Sequence, residues 1–175
     1  MKIFVDADSC PRPARELVLR ASVRTGIPAV FAANRPIPGI SGETARGERI
    51  AVKMELCPPG ENSADNRIVE LARPGDLAVT RDIPLASRLV EADVCVIDDR
   101  GRLYTRENIR ERLSLRDFMV DLAESGLGME RSNSYGKKEL KAMADSLDQA
   151  LTRLIREEKS NLKPGRSRDT GSGSV

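Results

Sequence analysis

The chain has 175 residues, enough for one domain with a substantial core. Apolar residues make up 39% of it, no run nears the ~18–20 apolar residues of a membrane span, and Ile3-Phe4-Val5 is too short for a secretion signal, so a cytoplasmic protein with no membrane association is expected. The formal charge of +2 lies in residues 160–175: removing Lys163, Arg166, Arg168 and Asp169 from 29 basic and 27 acidic side chains leaves 26 of each, so bulk charge carries no nucleic-acid footprint.

Ile3-Phe4-Val5 reads as a buried strand running into Asp6-Ala7-Asp8. Pro11 and Pro13 suit the first turn of a helix whose apolar positions are Leu17, Val18 and Ala21, and Gly26 stops it. Pro28 to Ala33 is a second strand ending at Asn34. Residues 35–48, rich in Pro, Gly and Ser, predict a long surface loop, a candidate lid or substrate guide. Ile50 to Leu56 alternates as an edge strand, and Pro58-Pro59-Gly60 is a hard turn. Ser63 to Ala72 is a helix with Ile68, Val69 and Leu71 inward.

The pattern then repeats, with a strand over Leu77 to Thr80, a helix over Pro84 to Glu91 and a strand over Val94 to Ile97 that ends at Asp98-Asp99. Strands alternating with helices imply right-handed crossovers and a mainly parallel sheet. Thr105 to Glu124 predicts a long amphipathic helix with Ile109, Leu113, Phe118, Met119 and Leu122 inward, and Gly126 to Tyr135 a connector. Leu140, Met143, Leu147, Ala150, Leu151, Leu154 and Ile155 mark one face of a last helix, which packing on the sheet explains better than dimerisation. One domain is expected over 1–159, with 160–175 a disordered polar tail.

The chain contains no histidine, which excludes a Ser-His-Asp triad, histidine-ligated zinc and an imidazole base. Cys10, Cys57 and Cys95 form no CxxC pair and suit neither structural zinc nor a disulfide scaffold. Cys95 is expected to be a buried thiol, and Cys10 lacks an activating base.

Acids therefore carry the functional signal. Ligands of open parallel sheets bind outside the carboxyl ends of the strands, and Asp6, Asp8, Asn34, Thr80, Asp82, Asp98 and Asp99 all lie at such ends. Asp6 and Asp8 share side-chain parity, although an acid in Asp8's place also suits a helix cap. Capping competes with metal binding at Asp82, and the helix dipole alone favours Asp65. A turn explains Asp98-Asp99 equally well. Asp6, Asp8, Asp65 and Asp82 together make a four-carboxylate set suited to Mg²⁺ or Mn²⁺. Ser9, Asn34, Thr80 and Arg81 stand beside them as expected substrate contacts.

Val5-Asp6-Ala7-Asp8-Ser9-Cys10-Pro11, Ala64-Asp65-Asn66, Gly75-Asp76-Leu77, Thr80-Arg81-Asp82-Ile83-Pro84-Leu85-Ala86, Gly101-Arg102-Leu103-Tyr104-Thr105 and Arg116-Asp117-Phe118-Met119 resemble the YaiI/YqxD family of bacterial proteins, a group related to PIN-like nucleases. The resemblance spans about residues 1–155. It implies a PIN-like three-layer α/β/α sandwich with a mainly parallel sheet and an acidic pocket for divalent metal. Asp6 and Asp82 match the acid ending the first strand and the acid of the Thr-x-Asp segment, with Asp65 between them. The implied activity is cleavage of RNA or single-stranded nucleic acid by carboxylate-held Mg²⁺ or Mn²⁺ and activated water, with Asp6, Asp8 and Asp82 catalytic.

Two other readings stand beside it. Haloacid-dehalogenase-like phosphatases also begin with an apolar strand and Asp-x-Asp, which would make Asp6 a nucleophile. They need a lysine between the strand-end Thr and the acidic pair, and residues 81–97 contain none. A non-catalytic RNA-binding module would use Arg81, Arg88, Arg100, Arg102 and Arg106, but three Phe and two Tyr leave little for base stacking.

Overall fold

A computed structural model of the chain describes residues 1–40, 52–126 and 135–161. Six strands form one sheet in the order β3-β2-β1-β4-β5-β6. They are β1 (Ile3–Asp6), β2 (Ala29–Ala33), β3 (Val52–Leu56), β4 (Leu77–Val79), β5 (Cys95–Ile97) and β6 (Leu103–Tyr104). The first five are parallel, and β6 returns antiparallel on β5. The helices are α1 (Arg12–Thr25), α2 (Ser63–Leu71), α3 (Ile83–Glu91), α4 (Ile109–Glu124) and α5 (Lys137–Asn161). The expected α/β fold with a mainly parallel sheet is what the chain adopts.

The central strands are apolar throughout because both faces of the sheet are covered. One face, carrying Ile3, Val5, Phe31, Leu77, Val79 and Ile97, packs on α1 and α5. The other, carrying Phe4, Val30, Ala78 and Val96, packs on α2, α3 and Ile109 of α4. Together the layers make an α/β/α sandwich. β3 reads differently because it is an edge: Lys53 and Glu55 alternate with Val52 and Met54, and Lys53 Nζ lies 2.6 Å from Glu55 Oε2. Charge on an edge strand opposes pairing with foreign strands.

Gly26 ends α1 in the left-handed region, at φ 71°, as its position predicted. Gly101 is bound more tightly. Its φ is 81°, and a Cβ there would collide with the Ala142 carbonyl of α5. Ser146 of α5 also donates to the Gly101 carbonyl at 2.6 Å, so the turn after β5 is seated directly on α5.

Several expectations are corrected. β6 was not foreseen: two residues are too few to show a period, and Leu103-Tyr104 falls between the turn after β5 and the predicted helix start at Thr105. α4 begins at Ile109 rather than Thr105, and Ile109 is its only buried residue among those described. Phe118, expected inward, is 58% exposed, and Leu113, Met119 and Leu122 are only partly covered. Cys95 is partly exposed, with Arg153 Nη2 at 3.2 Å from its sulfur, because β5 lies next to the short edge strand. Helix α5 runs through Asn161, two residues into the predicted tail. Residues 41–51, 127–134 and 162–175, which hold most of the predicted loop, connector and tail, lie outside the described residues. No described helix is long and apolar enough to cross a membrane.

Candidate metal centre at the sheet switch point

The chain leaves β1 towards β2 on one side, and β4 returns on the other side of β1. The carboxyl ends of β1 and β4 therefore flank the point where strand order reverses, the usual ligand crevice of such sheets. Register puts Val5 opposite Val79, and the next residues, Asp6 and Thr80, meet side chain to side chain. The Thr80 hydroxyl donates to Asp6 Oδ2 at 2.8 Å and accepts the Asp82 backbone N–H at 3.0 Å. The Ser9 backbone N–H lies 3.3 Å from Asp6 Oδ1. Asp6 is 4% exposed and Thr80 is buried. A buried carboxylate is stable only where such donors, or a cation, compensate it.

Ser9 links the two strand ends. Its hydroxyl donates to the Asp6 carbonyl at 3.4 Å and accepts the Arg81 backbone N–H at 3.3 Å. Asp82 caps α3, with Oδ1 accepting the Leu85 N–H at 2.7 Å. Asp8 does not cap α1, which has no side-chain cap. Instead Asp8 Oδ2 accepts the Asn34 backbone N–H at 2.7 Å, and Arg35 Nε lies 3.4 Å from Oδ1. Asn34 is used structurally at both ends of its amide: Nδ2 donates to the Gly60 carbonyl at 3.0 Å, and Oδ1 accepts from Ser63 Oγ at 2.8 Å. This ties the end of β2 to the start of α2 and so sets where Asp65, in the first turn of α2, is carried.

Asp65 reports how the acids feel one another. Burial first, then repulsion from Asp6 and Asp82 and more weakly from Asp8, pushes its carboxyl up to about 6, against a smaller opposing pull from Arg88. Asp6, Asp82 and Asp8 thus lie near enough to Asp65 for their charges to act on it. Among the described residues, however, no three Asp, Glu or Cys side chains converge closely enough to form a ready-made metal site. The donor set is all oxygen, which suits a hard cation. It fits one such as Mg²⁺, which takes one or two carboxylates and keeps its waters, better than one that needs a full protein cage.

The acidic pair after β5 divides. Asp98 Oδ1 accepts the backbone N–H groups of Arg100 at 2.9 Å and Arg102 at 2.8 Å, so it builds the turn. Asp99 is 1% exposed, its Oδ1 lies 3.4 Å from Arg81 Nε, and its Oδ2 is buried without a hydrogen-bond partner. Burial pushes the Asp99 carboxyl up, against the pull of Arg81. Cys10 is buried, and burial together with Asp99 and Asp6 raises its thiol far above the ordinary range, so it is not a poised nucleophile.

Sequence reasoning missed the part Ser63 plays, and named Arg88 and Asp99 without their neighbours Asp65 and Arg81. Ser63 was signalled only as a helix start, and Arg88 only as one of several arginines. Nothing in the spacing separates Asp99 from Asp98, since both lie in the turn beyond the end of β5. A cleft of about 340 Å³ opens on the β3 side, between Glu55, Cys57, Ser63, Asn66 and Arg67. None of the predicted acids lines it.

The "Uncharacterized BCR, YaiI/YqxD family" model matches residues 4–153. A UPF0178 protein of Treponema pallidum is 47% identical over 156 residues, covering 89% of this chain and 84% of that protein. UPF0178 proteins of Syntrophobacter fumaroxidans and Myxococcus xanthus are 46% and 43% identical, covering 89% and 90% of this chain and 97% and 99% of theirs. No solved structure matches. The chain belongs to the YaiI/YqxD family.

Proposed function

We propose that the switch-point acids make this chain a divalent-metal-dependent nuclease that cleaves RNA or single-stranded nucleic acid. The observation that carries the reading is Asp6, buried at the carboxyl end of β1 where strand order reverses and held there by the Thr80 hydroxyl and the Ser9 N–H. Burial, Asp6, Asp82 and Asp8 push the Asp65 carboxyl up to about 6. Acids left repelling one another at a ligand crevice are an electrostatic well for a cation. Asp6, Asp8, Asp65 and Asp82 would hold Mg²⁺ or Mn²⁺. When bound, such an ion supplies charge neutralisation at a phosphodiester and an activated water.

The chain's own residues have separable parts in this reading. Asp6, fixed by the Thr80 hydroxyl and the Ser9 N–H, is the rigid inner acid. Asp82 sits at the start of α3, whose N-terminal dipole favours an anionic group. Asp65, titrating near 6, holds or gives up a proton at its carboxyl within the working pH range. Arg88, close enough to pull on Asp65, offers a cation for a backbone phosphate. With 3% aromatic residues the chain is suited to phosphate contacts rather than base stacking.

The test is an internally labelled single-stranded RNA and DNA substrate incubated with Mg²⁺ or Mn²⁺. Internal cleavage that EDTA abolishes, and that Asp6→Asn and Asp82→Asn each reduce by at least ~100-fold, is expected. Release of phosphate from small phosphomonoesters with no internal cleavage would overturn the reading and make Asp6 a nucleophile instead.

A further inference from the structure

The turn after β5 is fastened from several sides. Asp98 Oδ1 accepts the backbone N–H groups of Arg100 and Arg102, Ser146 of α5 donates to the Gly101 carbonyl, and the Tyr135 hydroxyl donates to the Asp99 carbonyl at 2.9 Å. What this turn carries inward is the Asp99 carboxylate. Its side chain is 1% exposed, and Oδ2 is buried without a hydrogen-bond partner. A buried carboxylate half met in this way costs stability, so it calls for an explanation other than packing. Its other oxygen, Oδ1, faces Arg81 Nε at 3.4 Å.

Arg81 is placed by the candidate metal centre itself. It stands between Thr80, whose hydroxyl donates to Asp6, and Asp82, which caps α3, and its backbone N–H donates to Ser9 Oγ. Its charge acts on Cys10, after β1, as well as on Asp99, after β5, so the guanidinium lies near neighbouring strand ends. Asp6 acts on Cys10 and on Asp65, so one carboxylate is within reach of both groups. The Arg81 side chain is 33% exposed, so pairing with Asp99 leaves it in contact with solvent. A guanidinium is a planar fork that suits a phosphate as well as a carboxylate. Its long stem must be ordered before the fork can be used, and a fixed carboxylate beside it meets that cost beforehand.

We propose that Asp99 is a positioning residue, which holds the Arg81 guanidinium beside the switch-point acids as a clamp for a backbone phosphate of a single-stranded nucleic acid. The inference rests on the reading of this crevice as a phosphodiester site. Acids alone attract a cation and repel a phosphate, and Arg81 supplies the attraction they lack. In this role Asp99 acts through Arg81 and ligates no metal.

Fluorescence anisotropy of a labelled single-stranded RNA of about 12 nucleotides, in EDTA and ~50 mM salt, reads binding whether or not the chain cleaves. Arg81→Gln should bind at least ~5-fold more weakly, with the slope of log K against log salt reduced by about 0.7, the value of one phosphate contact. Asp99→Asn removes a negative charge, so electrostatics alone would tighten binding. As the loss of a positioning residue it should instead weaken binding at least ~3-fold, and have no further effect in Arg81→Gln, where nothing is left to position. Asp99→Asn should also hold Mn²⁺ within ~3-fold of the parent, whereas loss of a ligand would cost at least ~10-fold. Should Asp99→Asn fail to fold, Arg81→Lys decides: it keeps the charge but not the fork, and should bind within ~2-fold of Arg81→Gln. A parent that binds RNA but does not cleave it refutes the nuclease and leaves the clamp standing. The clamp is overturned by a parent that binds no RNA, by parent-like or tighter binding in Asp99→Asn or Arg81→Lys, by an Asp99→Asn effect that persists in Arg81→Gln, or by ligand-like loss of Mn²⁺.

Discussion

Asp65→Asn tests the electrostatics of the site without any substrate. The Asp65 carboxyl stands at about 6 in the folded protein against an ordinary 3.8, which at 1.4 kcal/mol per pH unit corresponds to about 3 kcal/mol. The folded state holds this proton more tightly than the unfolded chain. The associated stability is therefore fully present below about 4, drains away as pH rises towards 6, and is absent above. Asp65 is partly exposed, and solvent screening cuts the figure to about 2 kcal/mol. The ionised acid also gains about 0.5–1 kcal/mol from the dipole of α2, whose first turn it occupies, and asparagine forfeits that. Repulsion and burial outweigh the dipole. In EDTA at pH 7.5 the variant should be more stable by about 1 kcal/mol, or about 2–4 °C in melting temperature, and at pH 4 the gain should vanish or reverse. Urea and thermal melts at half-unit pH steps measure it. A variant less stable than the parent at pH 7.5, or a difference that does not change between pH 4 and 7, would show that Asp65 does not face the other acids.

Calorimetric titration with Mn²⁺ at pH 7.5 should show binding that Asp6→Asn weakens at least ~10-fold, and equal affinity in the two proteins would remove Asp6 from the site. Binding should also weaken below pH 6, as Asp65 takes up its proton, and the pH dependence should flatten in Asp65→Asn. Gly101→Ala should cost about 2–4 kcal/mol, from a left-handed backbone and a collision with α5, measured by urea denaturation. Gly75→Ala has a similar φ of 85° but open space around its Cβ, and should cost about 1 kcal/mol, so equal losses would refute the close approach at Gly101.

The fold was legible where burial imposes a period. The apolar runs of β1, β2, β4 and β5 and the stops at Gly26 and Pro58 to Gly60 are local signals that tertiary packing reinforces. The sequence failed at α4 for a physical reason. An amphipathic period announces that a face is apolar but not what covers it, and here the sheet is already covered by other helices. Leu113, Met119 and Leu122 have the right spacing but are only partly covered, and Phe118 is exposed. β6 failed because two residues carry no period at all.

The strand-end acids were legible in their positions and not in their hydrogen bonds. Strand-end acids looked alike in the sequence, and their hydrogen bonds now separate them. Asp76 accepts two backbone N–H groups, Lys2 at 2.7 Å and Arg73 at 2.9 Å, stitching the starts of β1 and β4, and Asp98 accepts two within its turn. Those carboxylates are met by the backbone and need no ligand to explain them. Asp6 and Asp82 are each met by a single backbone N–H, supplemented at Asp6 by a hydroxyl. No hydrogen-bond donor is among the influences that set Asp65; burial and like charge set it. Asp6, Asp65 and Asp82, near the place where β1 and β4 end, are thus met by fewer backbone donors than Asp76 and Asp98. Asp6 and Asp65 reach this place by different routes, one fixed by strand register and the other by the Asn34–Ser63 bond that seats α2. A carboxylate needed only for stability has no reason to be carried there against a cost of about 2 kcal/mol. That cost is what a cation at the switch point would reverse.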